Sequence, residues 1–305
     1  MRALIVTNMY PSPAQPALGS FVADQVAALR RTGEVEVEVF TFPPGAYLGG
    51  ARRLRARHGR DRFDIVHAHF GLTQWPALAA RGRARAVTLH GTDLAHPRSR
   101  LVTLAGLRLN DLVAVVSDEM TAAVPRWSTR RPTEVLPAGV DLTRFYPIDR
   151  AEARRRLGLE PDDPCLLFAA DPARPEKRYD RALAVAGDVS LLALGNVAPE
   201  QVPLWVNAAN AVLVPSAREG FGLAVLEALA CDVPVLATPV GVHRQALSGV
   251  AGTLCAPFDP DVWRAALAPH LEAASPRVEG RARAEAWSTD RMAARLLEAW
   301  RGLLG

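Results

Sequence analysis

Short apolar runs alternate along the chain with longer stretches whose apolar residues recur at helical spacing, the pattern of a parallel sheet covered by helices. Strands are predicted at 3–7, 35–40, 64–68, 86–89, 112–116 and 134–137. Between the first two, Phe21, Val22, Val26 and Leu29 fall on one face of a helix over 21–31. Residues 146–164 carry Pro147, Pro161 and Pro164, and beyond them the pattern restarts. The second set comprises strands at 165–170, 190–194, 211–215, 233–238 and 252–256, with helices near 177–186, 202–208, 222–230 and 260–273. A last helix over 289–304 aligns Met292, Leu296, Leu297 and Trp300 on one side, with Thr289 as its N-cap. A chain of 305 residues accommodates two such domains of roughly 150 residues, and the restart places the boundary at 147/148.

Composition is that of a soluble globular protein, half apolar and about a fifth charged. No run of about 18 uncharged apolar residues suggests a spanning helix. The apolar start is stopped by Asn8 and Pro11, too early for a secretory signal, and reads as a buried strand. Cys165, Cys231 and Cys255 are scattered among apolar residues, which suits reduced thiols in a cytoplasm rather than disulfides or a zinc cluster. Residues 1–150 hold 20 Arg against 13 acids, whereas the remainder is net acidic. Arg52, Arg53, Arg55, Arg57, Arg60 and Arg62 are the densest basic stretch; they read as a solvated helix face that could meet an anionic membrane from the cytoplasmic side. No nucleic-acid reader accompanies them, so no nucleic-acid partner is expected.

Three loops carry candidate chemistry. In the segment Glu219-Gly220-Phe221-Gly222-Leu223, a glycine-loosened loop runs into a helix start, whose unpaired N–H groups and partial positive charge suit a diphosphate. Glu227 lies farther along that helix, where a carboxylate can accept from vicinal hydroxyls. The loop Asp171-Pro172-Ala173-Arg174-Pro175-Glu176-Lys177 follows a strand and holds Lys177, the only lysine in a chain of 35 Arg. Gly19, between the first strand and first helix, can admit a phosphate to the backbone. His90 ends a strand in the stretch Thr88-Leu89-His90-Gly91-Thr92-Asp93, a position that open α/β sheets use for ligands. His67 and His69 share a strand face, but no acid or cysteine stands at metal-ligand spacing. The only D-x-D, Asp259-Pro260-Asp261, reads as a helix cap, so no metal is expected.

Taken with Pro215-Ser216-Ala217-Arg218 ahead of Glu219 and the run 227–245 behind it, these motifs resemble the retaining glycosyltransferase family 4, also called group 1, in a form with a short C-terminal domain. The resemblance runs from Ile5 to about Trp300. It implies the GT-B architecture, two Rossmann-like doubly wound domains facing across a cleft: an acceptor-side domain at 1–147, rejoined by the final helix at 289–305, and a nucleotide-sugar domain at 148–288. It implies metal-independent transfer of a hexosyl group from a UDP- or GDP-sugar to a glycan or lipid-linked acceptor, plausibly in cell-surface polysaccharide or glycolipid synthesis. By the same resemblance Glu219 touches donor-sugar hydroxyls, Glu227 the ribose, and Phe221, Gly222 and Leu223 the diphosphate and sugar. Arg174 and Lys177 neutralise the departing diphosphate, His90 lies over the sugar, and His67 and His69 line the acceptor side. Asp141 and Phe145 are structural. Leu18 stands where the family commonly has a second glycine and Asp171 where it usually has one, and the base-reading wall falls near 195–197. The alternatives are a sugar-nucleotide epimerase on the same fold and an inactive glycosyltransferase-like binding protein.

Overall fold

The computed structural model describes residues 1–195 and 197–305. The chain divides into two compact units, one of residues 1–14, 18–139 and 289–305, the other of residues 15–17 and 140–288. The division thus falls at Gly139/Val140, ahead of the proline-rich stretch that suggests 147/148. The reason is local: Val140 leaves the first unit by pairing with Ser288, and its N–H donates to the Trp287 carbonyl at 2.8 Å.

The first unit holds a parallel sheet of β1 (Arg2–Thr7), β2 (Glu36–Thr41), β3 (Arg62–His69), β4 (Arg81–Leu89), β5 (Leu112–Val115) and β6 (Glu134–Val135), in the order β2-β1-β3-β4-β5-β6. The chain starts inside the sheet, steps outward to β2 and returns across β1 to β3. Connections therefore diverge at the carboxyl ends of β1 and β3, which leaves a crevice there. Both sheet faces are covered, so β1 and β3 are buried almost throughout. On one face the helices Ser20–Arg31 and Thr289–Leu304 pack on Ala3, Ile5 and Ile65 through Val22, Val26, Leu296 and Trp300. The apolar stripe on the last helix is buried as its spacing predicts. Thr289, however, is the first helical residue rather than the cap, and its hydroxyl accepts from Arg31 Nη2 at 3.2 Å.

The second unit repeats the plan with β7 (Cys165–Phe168), β8 (Ser190–Ala193), β9 (Ala211–Val214), β10 (Val235–Ala237) and β11 (Leu254–Cys255), in the order β11-β10-β9-β7-β8. Its switch point lies between β7 and β9. Leu166, Phe168, Leu213, Leu236, Trp263 and Leu267 form its core. Asp259 does cap the helix Pro260–Glu272, accepting from the Asp261 and Val262 amides at 3.0 and 3.1 Å. The arginine-rich stretch forms the helix Tyr47–His58, which buries Gly50, Leu54 and His58 and exposes Arg52, Arg53, Arg55 and Arg57.

Candidate functional site

In the second unit the loops after β7, β9 and β10 converge at the carboxyl ends of neighbouring strands. Pro175 opens a one-turn 3-10 helix, Pro175–Lys177, and the chain then passes through Arg178 at φ 58° before the helix Tyr179–Ala186 starts. The start is later than its apolar spacing suggests, because Lys177 is held in the turn. The Ala217 amide donates to the Glu176 carbonyl at 2.9 Å, tying the β7 loop to the β9 loop. Lys177 and Glu219 thereby meet across the switch point, with the Lys177 ammonium 2.6 and 2.8 Å from the two Glu219 carboxylate oxygens. Both side chains are largely buried, at 14% and 8% exposure, so the pair is poorly screened by water.

Further groups brace this pair. Ser216 Oγ donates to Glu219 Oε1 at 2.7 Å, and Thr238 Oγ1 donates to the Ser216 carbonyl at 2.5 Å. His243 Nδ1 donates to the Thr238 carbonyl at 2.8 Å. The Val242 amide reaches the Phe221 carbonyl at 2.8 Å, which fixes the chain entering the helix Leu223–Ala230. Gly222 is the N-cap of that helix at φ 104°, and a β-carbon there would lie 2.3 Å from His243 Nε2. Glycine is thus required twice, by the backbone angle and by the imidazole beside it. Among the described residues no side-chain hydrogen bond caps the helix, and its first turn carries no acid, so the positive end of its dipole faces the crevice. Glu227 shares the partly exposed side of this helix with Leu223, one turn earlier. The Arg174 guanidinium donates to the nearby Glu176 at 3.0 and 2.7 Å and is half exposed, while Lys177 takes Glu219. The two cations therefore serve separate carboxylates.

The first unit organises a different kind of site. Gly19 caps the helix Ser20–Arg31 in the left-handed region, where a β-carbon would fall 2.3 Å from the Met9 backbone. The need for glycine there comes from close packing within the chain. Phe21, in the first turn, lies against His90 with ring centroids 4.8 Å apart. His90, His69 and His67 follow as a column, with centroids 5.3 and 4.8 Å apart and planes within 20°. His67 and His69 are fully buried rather than lining an open surface, because their strand face is covered by the helices. Trp300 Nε1 donates to His67 Nδ1 at 3.2 Å, and His67 Nε2 lies 2.8 Å from Thr88 Oγ1. Burial, with His90 nearby, pushes His67 down to about 3, burial alone takes His90 to about 3, and burial with both neighbours takes His69 well below the ordinary histidine range. The column is neutral at physiological pH.

Asp93 fixes the His90 turn. Its wholly buried carboxylate accepts from the amides of Gly71 and His90 at 3.1 Å and of Gly91 at 2.9 Å, joining the ends of β3 and β4. Phe70, between them, is held at φ 82°, a strained setting for a bulky residue. Asp141 accepts from Thr143 and Phe145 is buried. Asp93, Ser216, Thr238 and His243 were not singled out by sequence. Asp93 and Ser216 lie just past a strand's carboxyl end on a loop that also holds a predicted site residue, whereas Thr238 follows β10 directly and His243 opens the next helix, on a loop with no predicted residue. The base-reading segment 195–197 includes Asn196, which lies outside the described residues. Among the described residues, no three His, Cys, Asp or Glu side chains are grouped to hold a metal.

Two parallel-sheet Rossmann-like units with loop sites at their switch points define the GT-B class of α/β proteins. The "Glycosyltransferase Family 4" pattern matches residues 5–144 and "Glycosyl transferases group 1" matches residues 153–272. The chain is 29% identical to a D-inositol 3-phosphate glycosyltransferase of Actinosynnema mirum, over 98% of this chain and 97% of that protein. To the Mycobacterium avium protein of the same name it is 30% identical, over 79% of this chain and 69% of the relative. Similar solved structures include a sucrose-phosphate synthase from Thermosynechococcus elongatus (TM-score 0.76, 20% identity, 99% of each chain). The Anabaena protein HepE, solved with UDP and glucose, is another (TM-score 0.72, 18% identity, 97% of this chain and 98% of that one). The chain belongs to glycosyltransferase family 4, group 1, and is a glycosyltransferase.

Proposed function

We propose that this enzyme moves a hexosyl group from a UDP- or GDP-sugar to a hydroxyl of a glycan or lipid-linked acceptor with retention at the anomeric carbon and without a metal ion. The observation that carries the reading is the Lys177–Glu219 pair at the second switch point, beside the uncapped helix start at Gly222. An ammonium has three donors. Two face Glu219 and one is left for a diphosphate oxygen, where charge develops as the glycosidic bond breaks. The helix start adds N–H groups to the same anion. The other face of the Glu219 carboxylate accepts from sugar hydroxyls, and Glu227 accepts from the ribose. In the retaining reaction the acceptor oxygen bonds to the anomeric carbon on the side the diphosphate leaves, and the acceptor proton passes to the departing phosphate oxygen. His90 serves a sugar hydroxyl.

Relatives named for inositol phosphate and sucrose phosphate transfer, and a neighbour solved with UDP and glucose, support a nucleotide-sugar donor with a hydroxylic acceptor. The exposed arginines of the helix Tyr47–His58 support peripheral contact with anionic lipid at a cytoplasmic face, which would bring the enzyme to a lipid-linked acceptor. Thermal shift with UDP-, GDP- and ADP-sugars tests the donor, since a ligand at a hundred times its Kd adds about 2.7 kcal/mol of stability. One donor should raise the melting temperature and be consumed only with acceptor; consumption without acceptor would indicate an epimerase. Persistence of turnover in EDTA and an unchanged anomeric configuration in the product test the remainder.

A further inference from the structure

We propose that His69 is a positioning residue that sets the tautomer of His90, so that His90 presents Nδ1–H as a hydrogen-bond donor to a sugar hydroxyl and does not act as a base. The inference rests on the proposed role of His90 in substrate binding and adds how that role is set.

The argument follows the ring nitrogens one by one. Trp300 Nε1–H donates to His67 Nδ1, so that nitrogen carries no proton. A neutral His67 must then hold its proton on Nε2, pointing at Thr88 Oγ1 2.8 Å away. His67 is thus fixed in one tautomer and orientation, and its ring stacks on His69 at 4.8 Å with planes 20° apart. His69 Nδ1 lies 3.1 Å from His90 Nε2, and exactly one proton lies between two neutral rings at that distance. The other His69 nitrogen, Nε2, is buried and has no hydrogen-bond partner among the described residues.

Two arrangements are available. If His90 Nε2 donated, His69 would have to carry its own proton on Nε2, leaving an N–H buried without an acceptor. If His69 Nδ1 donates, only a lone pair is left bare at Nε2. Orphaned buried N–H groups are the rarer and costlier case. The second arrangement is therefore favoured, and His90 Nε2 is an acceptor. A neutral His90 then holds its proton on Nδ1, the ring nitrogen not engaged within the column. Burial keeps the rings neutral, and Phe21 closes the other side of the His90 ring at 4.8 Å. Asp93 holds the His90 backbone through its amide and makes no bond to the ring, so the tautomer is set from the His69 side.

The direct test is a long-range proton–nitrogen spectrum of the protein labelled with 15N-histidine, with His67, His69 and His90 assigned by single substitution. His90 should show a protonated Nδ1 and a bare Nε2, and His69 the same; a protonated Nε2 on His90 in the wild-type protein would overturn the proposal whatever the variants do. His69→Asn places an amide N–H near the position of Nδ1, whereas His69→Leu removes the donor. In His69→Leu the His90 tautomers should mix and kcat should fall about 3- to 10-fold, the value of one hydrogen bond, with little change in donor KM. His69→Asn should restore both the spectrum and kcat. Loss of activity in His69→Leu with no spectral change at His90, or with no rescue by asparagine, would reduce His69 to a structural residue. If the spectra behave as expected while His90→Ala keeps full turnover, the tautomer assignment stands and the role of His90 in substrate binding fails.

Discussion

The two units bring loops to a switch point in the same way and then fill it with opposite chemistry. In the second, a cation and a carboxylate are paired at the crevice and an uncapped helix points its positive end there. In the first, three neutral imidazoles stack under a phenylalanine, and the Asp93 carboxylate beneath the His90 turn is held by backbone amides. The difference shows what each crevice can stabilise. A paired ammonium with a spare proton suits a group that becomes more negative during reaction, whereas neutral rings can orient hydroxyls without attracting charge.

The contrast can be broken most sharply at Lys177. Lys177→Ala should lower kcat about 100- to 1000-fold, on the scale of removing one preorganised donor to a developing anion. Donor affinity measured by calorimetry should change much less. Lys177→Arg should rescue poorly, since a planar fork cannot replace a compact ammonium between Glu219 and a phosphate. Next in size, Glu227→Ala should weaken nucleotide binding about tenfold or somewhat more, the cost of a hydrogen bond to a charged group, as read by titration calorimetry. Unchanged values in both variants would remove the charged crevice from the reaction.

On the first unit, Asp93→Asn should cost about 2 kcal/mol in urea unfolding, because an amide replaces one accepting oxygen with a donor that faces backbone N–H groups. Smaller still is a pH effect. Folding lowers the pKa of His67 to about 3 from the usual 6.5, so between these values the unfolded chain binds the extra proton. Stability is therefore fully present above about pH 6.5 and declines as pH falls, by at most about 1.4 kcal/mol per pH unit for each such histidine. Replacing His67 with Gln should flatten that acid limb in denaturation curves recorded from pH 7 to 4, while the equivalent curves for Lys177→Ala should keep its slope.

Of the charged crevice, Lys177, Glu219 and Gly222 were legible as residues of loops and a helix start, but the meeting of Lys177 with Glu219 across 42 residues was not. Arg174 was legible as a second cation in the Lys177 loop, but spacing does not show that its guanidinium is held by Glu176, two residues away. The neutral crevice was legible only as isolated histidines. His67 and His69 on one strand face suggested a ligand-facing pair, and nothing local showed that a helix more than 200 residues later would cover them. Most strands and the helices near 21–31, 202–208, 222–230, 260–273 and 289–304 followed from periodicity, whereas the helices Pro97–Gly106 and Arg150–Leu157 were not legible. Nor was the unit boundary. Prolines mark where a chain turns, and the division instead depends on the pairing of Val140 with Ser288.

That pairing has a consequence for the order in which the chain can mature. The second unit is almost wholly continuous in sequence and can assemble as soon as its residues emerge from the ribosome, whereas the first unit waits for 289–305. Until then Val22, Val26 and Ile5 lack the cover of Met292, Leu296 and Trp300, and His67 lacks the indole that selects its proton. The histidine column is thus assembled last, although its residues are made first. A chain cut short before Thr289 would emerge with a finished charged crevice and an unfinished neutral one, its open apolar face a ready mark for a chaperone or a protease.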